Sequence, residues 1–219
     1  MKALLRLGLL APAALLLFSC SSTPSATRMN SSLLSGAPKE VTAPVNIARN
    51  ALAVAQDTVA NAVKQTENSV EAAKLAGQEL NVVMAKVDQA RVDVVTSERS
   101  ATDEEAEAAR AAYAKVIETA AIARLGLALA KRERDVAELR EWLAKEELDF
   151  AGASLELATG RAIDGLDLPA ANAVSIEDLR SAVSFHAAEV EAMSRRLGTA
   201  RVEMEKARGA YDNAISSAR

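Results

Sequence analysis

The chain contains few of the residues from which most active sites are built. Its 219 residues include one cysteine and one histidine. Without a second cysteine or histidine, an internal disulfide and the usual zinc-ligand patterns are excluded. There is no glycine-rich phosphate loop, and no pair of titratable groups stands out as an acid and a base. We therefore predict a protein that is not an enzyme, binds no metal or cofactor and has no small-molecule substrate.

Proline and positive charge are also scarce. Between Val45 and Leu168 there is no proline, so a helix in this stretch meets none of proline's interruptions. The 26 lysines and arginines are outnumbered by 30 aspartates and glutamates, which gives a formal net charge of -4. No basic stripe is evident, and nucleic acid is therefore not an expected partner.

The residues that are abundant favour helices. Hydrophobic residues make up 50% of the sequence and are mainly alanine, leucine and valine, which favours helix over sheet. Aromatic residues make up only 3%, which suits narrow helix-to-helix contacts better than a deep globular core. The predicted fold class is all-α. We expect an elongated antiparallel helical bundle, or coiled coil, of three long helices at about 46–99, 103–158 and 175–218.

Two breaks separate the predicted helices. Ser175 is the expected N-cap of the third helix. The loop before it, at 159–174, contains three residues that disfavour helix: Gly160, Gly165 and Pro169. The earlier break has no glycine or proline and depends on Thr102 and Glu105 as a capping box. A hairpin at 97–104 is the preferred interpretation, and one continuous helix is the alternative.

Apolar residues recur at alternating steps of three and four in each predicted helix, as in a coiled coil. The series in the first helix is Leu52, Gln56, Val59, Val63, Thr66, Val70, Ala73, Gly77, Leu80, Met84, Val87, Arg91 and Val94. The main series in the second helix is Ile122, Leu125, Leu129, Arg132, Val136, Leu139, Leu143, Glu146, Phe150, Ala153 and Leu157. An earlier series is offset from it, which we interpret as a stutter: Tyr113, Val116, Ala120, Ala123 and Leu127.

The third helix has the clearest series, sustained over about six heptads. Its members are Ile176, Leu179, Val183, His186, Val190, Met193, Leu197, Ala200, Met204, Ala207, Tyr211, Ala214 and Ala218. His186 is the one clearly polar member. A single imidazole without converging ligands makes no metal site. We interpret His186 as setting helix register or partner choice, with pH sensing as the alternative.

A candidate partner surface lies in the second helix. The stretch 116–130 is apolar on several faces, so this part of the helix is expected to touch more than one neighbour. Trp142 lies beside Leu139 and Leu143 of the main series in the second helix, and it is predicted to pack at the edge of this apolar seam. Tryptophan is also enriched at partner contacts. The residues proposed for a partner surface are Ile122, Leu125, Leu127 and Trp142.

The N-terminus has the three-part layout of a secretory signal peptide. Lys2 and Arg6 provide the basic start, residues 7–18 are apolar, and small residues follow. As a helix, residues 7–18 would span about 18 Å, well short of the roughly 30 Å hydrocarbon core of a bilayer. A permanent transmembrane segment is not expected here.

The sequence LFSC, residues 17–20, resembles the lipobox of bacterial lipoprotein precursors. The resemblance implies cleavage between Ser19 and Cys20, removal of the signal peptide at 1–19, and acylation of Cys20. Two or more acyl chains anchor a protein stably in a membrane. Because Ser21 follows the cysteine, the resemblance implies the outer membrane, facing the periplasm. A plain signal peptide with an incidental cysteine is the alternative interpretation.

After the anchor, residues 20–44 are rich in serine, threonine, alanine and proline, and we expect a flexible tether leading to the bundle at 45–219. An acylated cysteine followed by helical seams is loosely similar to the coiled-coil envelope lipoproteins. A structural or scaffolding role is therefore expected, through self-association or contacts with other envelope proteins. The alternative is an adaptor for a larger envelope complex, such as an efflux or cell-wall assembly machine.

Overall fold

The computed structural model describes residues 31–100, 102–166 and 175–218. A short 3-10 helix at Ser31–Leu34 is followed by three long helices: α1 (Lys39–Ser100), α2 (Asp103–Asp164) and α3 (Ile176–Ser217). The described residues contain no strand, so the predicted all-α helical bundle is confirmed. At 1.5 Å per residue, the 62 residues each of α1 and α2 extend about 93 Å, and the 42 residues of α3 extend about 63 Å.

The central helix of the fold is α2, and both other helices pack along it. The antiparallel register of α1 is shown at one end by Arg110 and Glu98, whose side chains pair at 2.8 Å. At the other end Val45 packs against Ile163. For α3, Arg208 pairs with Glu133 at 2.9 Å. Within the described ranges α1 and α3 make no extended contact with each other, so α2 contributes to both interfaces.

The first helix begins earlier than the sequence analysis predicts. The expected tether at 20–44 is wrong for residues 39–44, which belong to α1, while residues 20–30 lie outside the described part. Pro44 stands inside α1, where it lacks the N–H that would bond the carbonyl one turn earlier. Leu34 and Val45 are nevertheless buried at the end of α2. This apolar contact stabilises helix at residues whose composition predicts a flexible segment.

The second helix also continues past its predicted end at 158, to Asp164. Gly160 is buried inside this extension, beside the buried Thr159, whose hydroxyl donates to the Leu155 carbonyl at 2.8 Å. Ala162 and Ile163 complete the apolar cluster with Leu34 and Val45. The loop predicted at 159–174 is therefore wrong over 159–164, because tertiary contacts outweigh the low helix propensity of Gly160. Residues 167–174 lie outside the described ranges.

Side-chain caps begin α2 and α3. Thr102 accepts a hydrogen bond from the Glu105 backbone N–H at 3.3 Å, and the Glu105 carboxylate accepts from the Thr102 backbone N–H at 2.9 Å. This is the capping box expected from the sequence. Ser175 accepts from the Asp178 N–H at 3.2 Å. The chain therefore forms a hairpin between α1 and α2, and the alternative of one continuous helix is wrong.

None of the helices in the described part of the chain is long and apolar enough to cross a bilayer.

Candidate functional site

The face of α2 that contacts α1 is lined mainly by small side chains. Val83 and Val87 of α1 cluster with Ala120 of α2 and with Tyr113 and Val116. The same face continues to the C-terminal end of α2, with an alanine at every seventh residue: Ala123, Ala130, Ala137, Ala144, Ala151 and Ala158. Small side chains let two helix backbones approach closely over a long distance.

The buried stripe of α1 follows the same spacing. It runs without interruption at steps of three and four, and contains Val45, Ala48, Leu52, Ala55, Val59, Ala62, Thr66, Ser69, Ala73, Ala76, Leu80, Val83, Val87, Ala90, Val94 and Ser97. The series predicted from the sequence agrees with this stripe at every second position, from Leu52 to Val94. At the positions between, the predicted residue follows the stripe residue by one, so that exposed Gln56 and Arg91 were predicted in place of Ala55 and Ala90. Val63 and Met84, likewise predicted, stand next to the stripe residues Ala62 and Val83.

The face of α2 that contacts α3 is lined by larger side chains. It contains the main predicted series from Ile122 to Leu157, all of whose members except Arg132 are at least partly covered. The α3 series is covered from Ile176 to Tyr211 and Ala214, with Leu179 and Leu197 fully buried. At 100° per residue the two stripes of α2 lie on roughly opposite faces, so α1 and α3 pack on opposite sides of this helix.

This arrangement corrects the interpretation of a stutter. The series from Tyr113 to Leu127 continues along the α1-facing stripe instead of shifting into the series that begins at Ile122. The two series coexist on one helix because each has its own partner. The expectation that residues 116–130 touch more than one neighbour is confirmed.

Most of the residues proposed as a partner surface contact the chain's own helices. Leu127 lies against Gly77 of α1, since a Cβ built at Gly77 would be 3.9 Å from the Leu127 Cδ1. Ile122 and Leu125 belong to the α3-facing stripe and are partly covered. Trp142 differs from them, because 54% of its surface is exposed between the two stripes.

Gly126 permits a close approach of α3. A Cβ at this position would lie 3.2 Å from the Tyr211 Cε2, tighter than an ordinary carbon contact. The glycine therefore lets the Tyr211 ring rest against the α2 backbone where α3 nears its C-terminal end. No local pattern in the sequence pairs Gly126 with Tyr211, because the two residues meet only when α3 packs on α2.

A polar layer interrupts the α1–α2 interface near its middle. The Glu141 carboxylate is 17% exposed and accepts a hydrogen bond from the Lys145 Nζ at 2.7 Å. Hydrogen bonds from Lys145 and from Thr66 of α1 hold the pKa of Glu141 below its ordinary value. These partners favour the charged carboxylate, and a glutamate can therefore lie in a helix interface that is lined mainly by small apolar side chains.

A second polar cluster lies where α2 meets α3. His186 was predicted to have no converging ligands, and this is wrong, because its Nδ1 lies 3.7 Å from the Glu146 Oε2. Asp149 is one turn further along α2, and one ligand atom from each of the three residues falls within 4.8 Å of the others. Glu146 and Asp149 are three residues apart on one helix face, but their meeting with His186 depends on the packing of α3.

Ser19 and Cys20, the predicted cleavage and lipidation sites, lie outside the described residues, as does the signal peptide at 1–19. When the chain is compared with protein-family models, with curated proteins and with solved structures, none of the three comparisons yields a match.

Proposed function

We propose that this protein is a lipid-anchored helical rod of the bacterial cell envelope that acts as a scaffold by pairing with further copies of itself. The LFSC sequence at 17–20 supports the anchor, since its resemblance to a lipobox implies acylation of Cys20. The three long helices support the rod. No cofactor and no reaction are part of this proposal.

The observation that carries the proposal is an exposed apolar line on α1. Its four apolar members lie at multiples of seven residues, in two pairs separated by Asn61 and Asn68 at the intervening positions of the repeat. They remain more than half exposed after α2 has covered the buried stripe: Ile47 71%, Val54 65%, Leu75 56% and Val82 58%. A seven-residue repeat follows one face of a supercoiled helix. The intramolecular packing leaves this line uncovered, and we infer that it packs against the equivalent line of a second copy.

The experiment is a measurement of native mass, made on the acylated full chain extracted in detergent from its own envelope. We expect a small whole-number multiple of the chain mass. Val82→Glu should reduce the particle to one chain, because a charge would be desolvated at the contact. The adjacent Asn81→Glu is the matched control, since it adds the same charge to another exposed part of α1. A single chain in the wild type would contradict the proposal.

The anchor is tested separately. Mass spectrometry of the N-terminal peptide of the purified protein should show that the chain begins at Cys20 and carries the added mass of acyl chains. A mature N-terminal peptide with an unmodified Cys20 would refute the lipid anchor whatever the native mass proves to be.

The adaptor function is the second candidate, and exposed Trp142 favours it. Tryptophan is among the residues most enriched at partner contacts, and 54% of the surface of this one remains exposed beside α1 and α3. An adaptor would co-purify with one other envelope protein at fixed stoichiometry, and Trp142→Ala would release that protein. Co-purification that Trp142→Ala leaves intact would exclude this surface.

A further inference from the structure

We propose that Glu146, Asp149 and His186 form a binding site for a divalent transition metal of the zinc type, linking α3 to α2. The three side chains offer one imidazole nitrogen and two carboxylate oxygens. Imidazole with carboxylate suits zinc, copper and nickel, whereas magnesium and calcium prefer oxygen ligands alone.

The state of the imidazole is the first support. His186 is 15% exposed, and its Nδ1 is buried without a hydrogen-bond partner. Buried polar atoms in proteins are normally paired, and one that is not calls for an explanation. The Glu146 oxygen is the nearest acidic group, but 3.7 Å is too long for a hydrogen bond.

That distance suits two ligands of one metal ion. Zinc binds imidazole nitrogen and carboxylate oxygen at about 2.0–2.2 Å, so in tetrahedral geometry the two ligand atoms are about 3.4 Å apart. The Nδ1 and Oε2 atoms therefore need to move only slightly. Asp149 is exposed and free to rotate toward the same point. Three protein ligands would leave the fourth position to water.

The charge around the cluster is the second support. In the described part of the chain, neither Glu146 nor Asp149 forms an ion pair with lysine or arginine, although most carboxylates in the middle of α2 do. Two neighbouring carboxylates without a positive partner repel each other, and a divalent cation removes that repulsion. Metal binding would then stabilise the contact of α3 with α2, since a ligand that binds only the folded state raises stability.

Zinc binding is measured on the full chain in detergent, purified without a polyhistidine tag and freed of metal with a chelator. Titration calorimetry should give one Zn²⁺ bound per chain. Thermal unfolding should give a higher Tm with zinc, and Mg²⁺ should change neither the titration heat nor the Tm appreciably. His186→Gln and Asp149→Asn should each weaken zinc binding by more than about 10-fold. Asp149 is exposed, so this second variant tests the site without disturbing the seam. Glu138→Gln, on the same helix outside the cluster, is the matched control and should bind zinc normally.

The single histidine allows a direct readout. In protein labelled only at histidine with ¹⁵N, every ring signal belongs to His186, and Zn²⁺ should shift the Nδ1 resonance. Absence of zinc binding at millimolar concentration would overturn the proposal. So would equal binding in His186→Gln, or an Nδ1 signal that zinc leaves unchanged.

Discussion

The two faces of α2 are packed by different means, with alanine predominant toward α1 and larger aliphatic and aromatic residues toward α3. On the first face the helices approach closely along almost the whole length of α2. On the second face Leu139, Leu143 and Phe150 meet a shorter partner. Tyr211 lies at Gly126, so among the described residues only α1 packs against the part of α2 before about residue 120.

This difference shows that a single helix can combine two seams with opposite sensitivities. A seam of large side chains loses stability when a side chain is shortened, because a cavity remains. A seam of alanines loses stability when a side chain is lengthened, because the helices are forced apart. Substitutions of opposite kind in the two seams should therefore both be destabilising.

Shortening a side chain should be most costly in the α3 seam. Leu197 is 4% exposed, and we expect Leu197→Ala to lower the free energy of unfolding by about 2–5 kcal/mol, measured by urea denaturation. Val202, 55% exposed on the same helix, is the control, and Val202→Ala should cost less than about 0.5 kcal/mol. Equal effects at the two positions would show that α3 is not packed as described.

Lengthening a side chain should be costly in the α1 seam. Ala144 and Ala62 are both buried and each lies one turn from the Glu141–Thr66 contact, so they face each other. Ala144→Leu should lower the free energy of unfolding by about 1–3 kcal/mol. Ala128→Leu, at an exposed position of α2, should be close to neutral. If Ala144→Leu is equally neutral, the close approach of α1 and α2 is refuted.

The hairpin end, where α1 is the one described helix that packs against α2, should respond to loss of its cap. Thr102→Ala removes the capping hydroxyl and should cost about 1 kcal/mol. Hydrogen exchange should increase in the first turns of α2, while exchange near Leu197 stays unchanged. Faster exchange throughout the chain would contradict a local effect.

The smallest expected effect concerns the polar layer of the α1 seam. Because the pKa of Glu141 is lowered in the folded state, its contribution to stability is present above the ordinary glutamate range and is lost as the pH falls through the lowered pKa. Glu141→Gln should therefore reduce stability near pH 7 by roughly 0.3–0.5 kcal/mol, as for exposed helix pairs, and by less near pH 3.

The control for this measurement is Glu107→Gln, at an exposed position of α2. Its pH dependence should match that of the wild type. A Glu141→Gln effect that is equally large at pH 3 would show that the carboxylate charge is not what stabilises the layer.

Local signals in the sequence were sufficient for several features of the fold. The capping box of Thr102 and Glu105 and the Ser175 cap involve residues three apart, so their hydrogen bonds are encoded within a single turn. The α3 seam was also predictable, because in the described part of the chain its large apolar side chains pack against one helix, α2. The candidate partner surface was less predictable, since apolarity alone does not distinguish an internal contact from an external one.

The helical fold class, the helix caps and the seam of α3 follow from local residue patterns, because propensity, capping and apolar periodicity act over a few residues. Packing between helices was needed to show that α2 has two partners on opposite faces, and that α1 begins at Lys39 despite Pro44. It also brought His186 to Glu146, 40 positions away in the chain. These features depend on contacts between helices. An alanine fits an exposed face and a close-packed seam equally well, so the alanine positions in the sequence do not predict which helix faces are in contact.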